Sequence, residues 1–249
     1  MISGKKWKFL LVGTVFVISC VFLYRFSPRK IEFLGYYHKI GAHRVNSLEK
    51  LESALCYFDA IELDLEYIEG QDYLDVNHPP ASSIQLDFET YLSHFEIEQQ
   101  PFIWLDIKNL NSGNNRQIHD KLIALLQEKS YPLDKILIET RYPEALPIFS
   151  ASGFKTSFYL PQHLSAKDSQ VLQQEIVKIE KVLEAQPDLG VSTTFSEYAI
   201  LKKYFPARTK YIWSINHSKL KDYRLLQEIL KDESVQLVLV SYRAFRGNR

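Results

Sequence analysis

Four short polar clusters punctuate the first half of the chain, each at the end of a strand-like segment: Ala42-His43-Arg44, Glu62-Leu63-Asp64, Asn77-His78-Pro79 and Asp106-Ile107-Lys108. Together they bring three carboxylates, two imidazoles and two basic side chains, more polar chemistry than an apolar core holds without a purpose. Residues of these types suit metal-assisted chemistry at a phosphodiester.

The carboxylates carry the metal part of that reading. In Ala60-Ile-Glu-Leu-Asp-Leu-Glu-Tyr67, strict alternation sends Glu62, Asp64 and Glu66 to one face and Ile61, Leu63 and Leu65 to the other. Like charges side by side in a low dielectric repel, and a site that keeps both ionised holds a divalent cation with oxygen ligands, here Mg²⁺ or Ca²⁺. Phe102-Ile-Trp-Leu-Asp-Ile-Lys108 alternates in the same way, so Asp106 is the candidate third ligand, with Trp104 and Lys108 on its face. A strand carboxylate equally faces solvent or pairs with a neighbouring lysine, and that alternative stays open for either cluster alone.

The histidines carry the proton chemistry. His43 stands where a strand gives way to a helix, which Asn46 or Ser47 would cap over 48–55. A histidine followed at once by an arginine suits general acid/base work beside an oxyanion. His78 follows Tyr73–Asn77 and precedes two prolines; either histidine alone would also serve as a structural residue. His38, His94, His119, His163 and His217 have no comparable carboxylate cluster and are expected at the surface or in the core.

In order and spacing these clusters resemble the glycerophosphodiester phosphodiesterases, which share a barrel with phosphatidylinositol-specific phospholipase C. The resemblance runs along most of 39–242 and includes Tyr211-Ile-Trp-Ser-Ile-Asn216, similar to that family's Trp-Thr-Val-Asn strand. Ala42-His-Arg-Val-Asn-Ser47, Asn77-His-Pro-Pro80 and Trp104-Leu-Asp-Ile-Lys-Asn109 resemble, more locally, the menorin group. The resemblance implies a metal held by Glu62, Asp64 and Asp106, proton transfer by His43 and His78, and substrate contacts from Arg44, Lys108, Trp213 and Asn216. Trp213 equally suits the barrel core. The chain departs from the pattern where Val45 replaces a glycine, where the Thr-x-Asp-Gly turn before the second histidine is missing, where Pro79 replaces an aspartate and where Asp106 replaces the commoner glutamate. Those departures motivate a second reading, a membrane-tethered binding or scaffolding protein without turnover. A lyase of the same barrel, similar to the spider-toxin phospholipases, is a third.

Strand-like segments at 39–43, 60–66, 102–108, 135–139, 155–160, 189–194, 210–215 and 235–241 alternate with helical patterns at 46–57, 87–97, 115–129, 143–151, 166–185, 196–204 and 218–231. Such alternation predicts a parallel sheet with crossover helices, and eight strands predict an α/β fold of the closed (β/α)8 TIM type. Active sites of such barrels lie at the C-terminal strand ends, where His43, Asp64, His78 and Lys108 fall. No full eighth helix follows the last strand, and residues 26–38 are placed to cover part of the gap. With 249 residues and 46% hydrophobic composition, one large core is expected over 31–249. The formal net charge of zero, without a polybasic run in the domain, gives nucleic-acid binding no electrostatic support. Two cysteines, Cys20 and Cys56, exclude a disulfide framework.

Residues 1–30 read as a membrane anchor and short linker. Lys5, Lys6 and Lys8 precede an apolar run from Phe9 to Tyr24, and Arg25, Arg29 and Lys30 follow it. The run is short against the roughly 20 apolar residues of a spanning helix, but Trp7 and Tyr24 suit the two interfaces. A single-pass anchor with the barrel outside the cytoplasm is the expectation.

Overall fold

The computed structural model describes residues 4–95, 100–215 and 220–242. Nine strands are found among them: β1 (Ile40–Ala42), β2 (Ala60–Ile68), β3 (Tyr73–Val76), β4 (Phe102–Ile107), β5 (Ile136–Thr140), β6 (Lys155–Tyr159), β7 (Gly190–Thr194), β8 (Lys210–Ile215) and β9 (Val235–Val240). All but β3 are parallel, and the ring closes because β1 pairs with both β2 and β9. The eight segments expected from alternation are the eight barrel strands. The ninth comes from Tyr73–Asn77: β2 runs on past the ring and pairs antiparallel with β3, Leu65 opposite Val76 and Ile68 opposite Tyr73. This hairpin raises one wall of the barrel mouth and carries His78 beyond its end.

The alternation of each strand divides the core in two. Ile61, Leu63, Ile103, Leu105, Ile136 and Ile138 point outward, buried against the helices. Ala60, Trp104, Leu137, Tyr211, Leu237 and Leu239 fill the lower interior of the ring. The helices are α2 (Leu48–Leu55), α3 (Phe88–Leu92), α4 (Asn115–Glu128), α5 (Pro147–Ala151), α6 (Ser169–Ala185), α7 (Tyr198–Tyr204) and α8 (Leu220–Lys231). Each longer one buries a 3.6-period stripe, such as Ile118, Leu122, Leu125 and Leu126 on α4. Of the two cap candidates ahead of α2, Ser47 is the cap, its hydroxyl accepting from Lys50 N at 3.2 Å. Asn46 is thereby released for another task.

Residues 27–39 descend the outside of the ring where an eighth helix would stand. Ser27, Pro28 and Lys30 lie beside Val240, Ser241 and Tyr242 at the top of β9. Phe33 is fully buried in the core, and Gln227 Nε2 donates to Glu32 O at 2.8 Å. At the bottom Lys39 Nζ donates to Leu230 O (3.2 Å) and Asp232 O (2.9 Å) at the end of α8. The segment thus straps the seam between the first and last barrel strands.

Ahead of the strap, Gly4–Phe26 is a single helix, numbered α1 here and preceding α2 in the chain. Its Phe9, Leu11, Val12, Val15, Phe16, Val17, Ile18 and Val21 are exposed. Against the expectation of a spanning helix, no helix among the described residues is long and apolar enough to cross a membrane. The side chains of residues 4–7, 10, 22, 23, 25 and 26 lie outside that description.

Candidate active site

The carboxylates converge because strand register aligns them. Asp64 on β2 stands opposite Asp106 on β4, and Asp106 stands opposite Glu139 on β5. One residue pair lower on β2, Glu62 shares their inward face. Ligand atoms of Glu62, Asp64 and Asp106 all lie within 4.8 Å of one another. Three hard oxygen donors at that separation fit one divalent cation of the Mg²⁺ or Ca²⁺ kind, whose oxygen ligands sit at roughly 2.0–2.6 Å from the ion. The shorter Asp106 reaches the cluster because it comes from the strand directly beside Asp64. Lys108 Nζ now provides the positive charge, 2.5 Å from Asp64 Oδ1 and also bonded to Asp106 Oδ2.

Two further interactions fix these carboxylates. The Arg44 backbone N–H donates to Glu62 Oε2 at 2.6 Å, which it can do because Arg44 takes a left-handed conformation with φ 55°. A glycine adopts that region without strain. Here an arginine accepts it one residue ahead of Val45, whose side chain is fully buried and whose N–H donates to Glu62 O at 2.7 Å. Asn46 grips Asp64 twice: its Nδ2 donates to Oδ2 at 2.6 Å, and its Oδ1 accepts from the Asp64 N–H at 3.0 Å.

The histidines flank the carboxylates from two loops. His43 Nε2 is 3.7 Å from Glu62 Oε2, and its ring lies 6.2 Å from that of Trp213. Burial, reinforced by the Arg44 charge, lowers the His43 pKa to about 4. Its ring is therefore neutral near pH 7, with a lone pair free to take a proton. His78 Nε2 lies 3.2 Å from Arg44 Nη2. Since a guanidinium only donates, Nε2 is the acceptor in this contact. Lys50 Nζ, from α2, donates to His43 O and Arg44 O at 2.6 Å each and so holds the whole β1 loop.

Burial and the neighbouring Asp64 and Asp106 hold the Glu62 carboxyl well above the usual range. Burial also raises Asp106, although Lys108 opposes it. For Lys108 burial works against the charge, but Asp106 and Asp64 outweigh it and keep the ammonium protonated above the ordinary lysine value.

The cavity over these groups measures about 280 Å³. His43, Arg44, Glu62, Asp64, His78, Asp106, Lys108 and Trp213 all line it, so of the nine residues proposed from sequence eight meet at one place. The ninth, Asn216, lies outside the described residues. Trp213 serves both readings given to it, packing on the inner core and lining the cavity.

Sequence reasoning missed Glu139, Arg141, Tyr159 and Gln162 on the opposite wall. Glu139 is buried, accepts from the Ser192 hydroxyl, and is pushed up to about 8 by burial and by Asp106. It stands near the end of a strand-like segment, but only the register that sets it opposite Asp106 marks it out. The Arg141 guanidinium lies 4.5 Å over the Tyr159 ring, with no ion-pair partner among the described residues.

No family model matches the sequence, and no curated protein matches it. Solved structures do match its fold. A glycerophosphodiester phosphodiesterase from Parabacteroides distasonis covers 82% of this chain and 92% of its own, at a TM-score of 0.56 and 11% identity. An Oleispira antarctica phosphodiesterase, solved with the product sn-glycerol-3-phosphate, covers 82% and 92% at 0.56 and 13% identity. The Thermotoga maritima glycerophosphodiester phosphodiesterase covers 82% and 93% at 0.54 and 10% identity. The chain has the barrel fold of these phosphodiesterases.

Proposed function

We propose that the protein is a metal-dependent phosphodiester hydrolase acting on a glycerophosphodiester or lysophospholipid-like substrate. The observation that carries this reading is the convergence of three carboxylates within 4.8 Å, flanked by two histidines and two cations, on a single cavity at the C-terminal ends of the barrel strands. A divalent ion held by Glu62, Asp64 and Asp106 would draw charge off a phosphodiester oxygen. Arg44 and Lys108 add positive charge where the transition state becomes more negative. His43 and His78 would exchange protons with the attacking and leaving oxygens, one taking the proton of the attacking hydroxyl as the new P–O bond forms and the other giving a proton to the leaving oxygen as its P–O bond breaks. A cavity of about 280 Å³ suits a small head group. The sn-glycerol-3-phosphate found in the Oleispira antarctica phosphodiesterase is of that size and chemistry.

The same proposal has α1 anchoring the barrel to a membrane, on the extracytoplasmic side. Support comes from eight exposed large apolar side chains on α1 and from the basic residues at both its ends. Fractionation of cells expressing the whole chain tests the anchor: recovery in the soluble fraction without detergent or proteolysis would remove it.

The ion pairs of Lys108 with Asp64 and Asp106 favour one other reading, a menorin-like binding protein whose carboxylates are neutralised by its own lysine. Titration calorimetry with Mg²⁺ and Ca²⁺, followed by a release assay on glycerophosphodiesters, lysophospholipids and an aryl phosphodiester, separates the two. The enzyme binds one ion, loses it in Asp64→Ala, and turns over at least one substrate. Loss of a general acid or base costs about 10²–10⁴-fold in rate, so His43→Ala and His78→Ala should each fall by that much while metal binding persists. Metal binding without turnover of any of these would install the binding protein instead.

A further inference from the structure

Three basic side chains line the cavity, and two of them are already engaged by its other residues. Arg44 Nη2 donates to His78 Nε2 at 3.2 Å, and Lys108 Nζ bridges Asp64 and Asp106. Arg141 is different. Its guanidinium carries five N–H donors, yet it makes no hydrogen bond and no ion pair among the described residues. Strand register also sets it apart from the metal cluster. Thr140 pairs with Phe158, so Arg141 leaves β5 beside Tyr159 of β6. The guanidinium lies 4.5 Å over the Tyr159 ring, leaning away from β4, the strand that carries Asp106 and leads to Lys108.

Packing, not a charged partner, fixes this posture. Tyr159 is buried, its ring stands edge-on to Trp213 at 5.5 Å, and its hydroxyl oxygen accepts from Gln162 Nε2. The ring holds the cation by its negative face and leaves the N–H donors unused. A phosphodiester group makes no demand on them. It bears one negative charge, which a metal on Glu62, Asp64 and Asp106 would meet together with Arg44 and Lys108, all of them from β1, β2 and β4 or the loops that follow. A further cation on the wall of β5 and β6 gains a purpose only from a second negative group on the same molecule. Guanidinium donors match the oxygens of a carboxylate and of a phosphate equally, by paired N–H···O bonds.

We propose that Arg141 is a specificity-determining residue that binds a second anionic group, a carboxylate or a further phosphate, on the alcohol portion of a phosphodiester substrate. This rests on the hydrolase reading above and narrows it to molecules that carry two anions one cavity's width apart. A neutral alcohol leaves the guanidinium to water. An anionic one gains charge-assisted hydrogen bonds there, a gain of about 10–100-fold in affinity. Arg141 is exposed, so solvent screening holds the gain near the lower figure, and added salt should shrink it further.

The test compares three small probes on the purified full-length chain with Mg²⁺ or Ca²⁺ present. They are sn-glycerol-3-phosphate, 3-phosphoglycerate, which has a carboxylate in place of the terminal alcohol, and glycerol 1,3-bisphosphate. By calorimetry at low salt one or both of the doubly anionic probes should bind about tenfold more tightly than sn-glycerol-3-phosphate, and the tighter of the two identifies the second group as carboxylate or phosphate. Arg141→Gln should bring the three affinities together. Equal binding of all three by the native chain, a preference that survives in Arg141→Gln, or no binding of any probe would overturn the assignment. Turnover is then read on glycerophosphoglycerol and on the same diester with a terminal phosphate: the second should have the higher kcat/KM, through a lower KM, and Arg141→Gln should remove that ratio. Equal kcat/KM for the two in the native chain would overturn the specificity. If neither diester is turned over while the binding preference holds and depends on Arg141, the hydrolase reading fails and the anion site stands.

Discussion

Single side chains in the cavity have consequences that can be measured one at a time. Glu139 is held protonated, its pKa raised from 4.5 to about 8, first by burial and then by Asp106. Below about pH 4.5 folded and unfolded chains carry the same proton; as pH rises towards 8 the unfolded chain releases it while the folded chain retains it, so stability falls across that window. Glutamine mimics the protonated acid, so without added metal the Tm of Glu139→Gln should decline less than that of the native chain over this interval; parallel declines would show that Glu139 is not the group responsible. Asn46→Ala should weaken divalent-metal binding by about 10–100-fold, the usual effect of losing a hydrogen-bond partner of a ligand, and calorimetry would read it directly. Asp64 and Asp106 were legible from sequence because each sits in a strongly alternating strand, which fixes the face of every residue at once. Glu139 was not, because a lone strand carboxylate gains meaning only when register brings it opposite another. Geometry can mislead as well. His119 lies 2.8 Å from both Asp120 Oδ1 and Ser152 Oγ, the outline of a nucleophile triad, yet the Ser152 hydroxyl donates to Ile148 O and the ring packs between Phe149 and Phe154. That cluster ties α4 to α5.

At the scale of elements, the strap is the piece with the clearest energetic role. Phe33 is its fully buried member, and Phe33→Ala should cost about 3–5 kcal/mol in urea unfolding of the purified chain, the usual price of emptying a buried aromatic site. A loss well under 1 kcal/mol, the level of an ordinary surface substitution, would mean that the strap merely lies along the seam. Gly190 is the corresponding tight point inside the ring: a Cβ there would come within 2.8 Å of Tyr211, so Gly190→Ala should destabilise by about 1–3 kcal/mol through overpacking. The eight barrel strands and most helices were legible because their hydrophobic periods are long and regular. Tyr73–Val76 was read as strand-like but not as the antiparallel partner of β2, since it is four residues long and pairs through backbone groups that leave little trace in side-chain pattern. The missing Thr-x-Asp-Gly turn is its counterpart, because the hairpin delivers His78 to the mouth without it.

For the molecule as a whole, a resident metal and the fold should stabilise each other. A ligand that binds only the folded state at 100 times its Kd adds about 2.7 kcal/mol, so saturating Mg²⁺ or Ca²⁺ should raise Tm, and Asp106→Asn should abolish the rise. No rise in the native chain would argue that Lys108 keeps the three carboxylates for itself. The closed barrel was expected from the count of eight alternating segments, but the pairing that closes it was not, since nothing local in Ile40–Ala42 names β9 as its partner. That closure also governs how the molecule comes into being. The pairing that shuts the ring joins Ile40 to Val238, nearly two hundred residues apart, the first barrel strand synthesised to the last. Until β9 emerges, β1 keeps one edge unpaired, and contacts of such long sequence separation form slowly. A ribosome-bound chain therefore spends most of its synthesis as an open sheet, and the step that limits its maturation should be the meeting of its two oldest and newest strands.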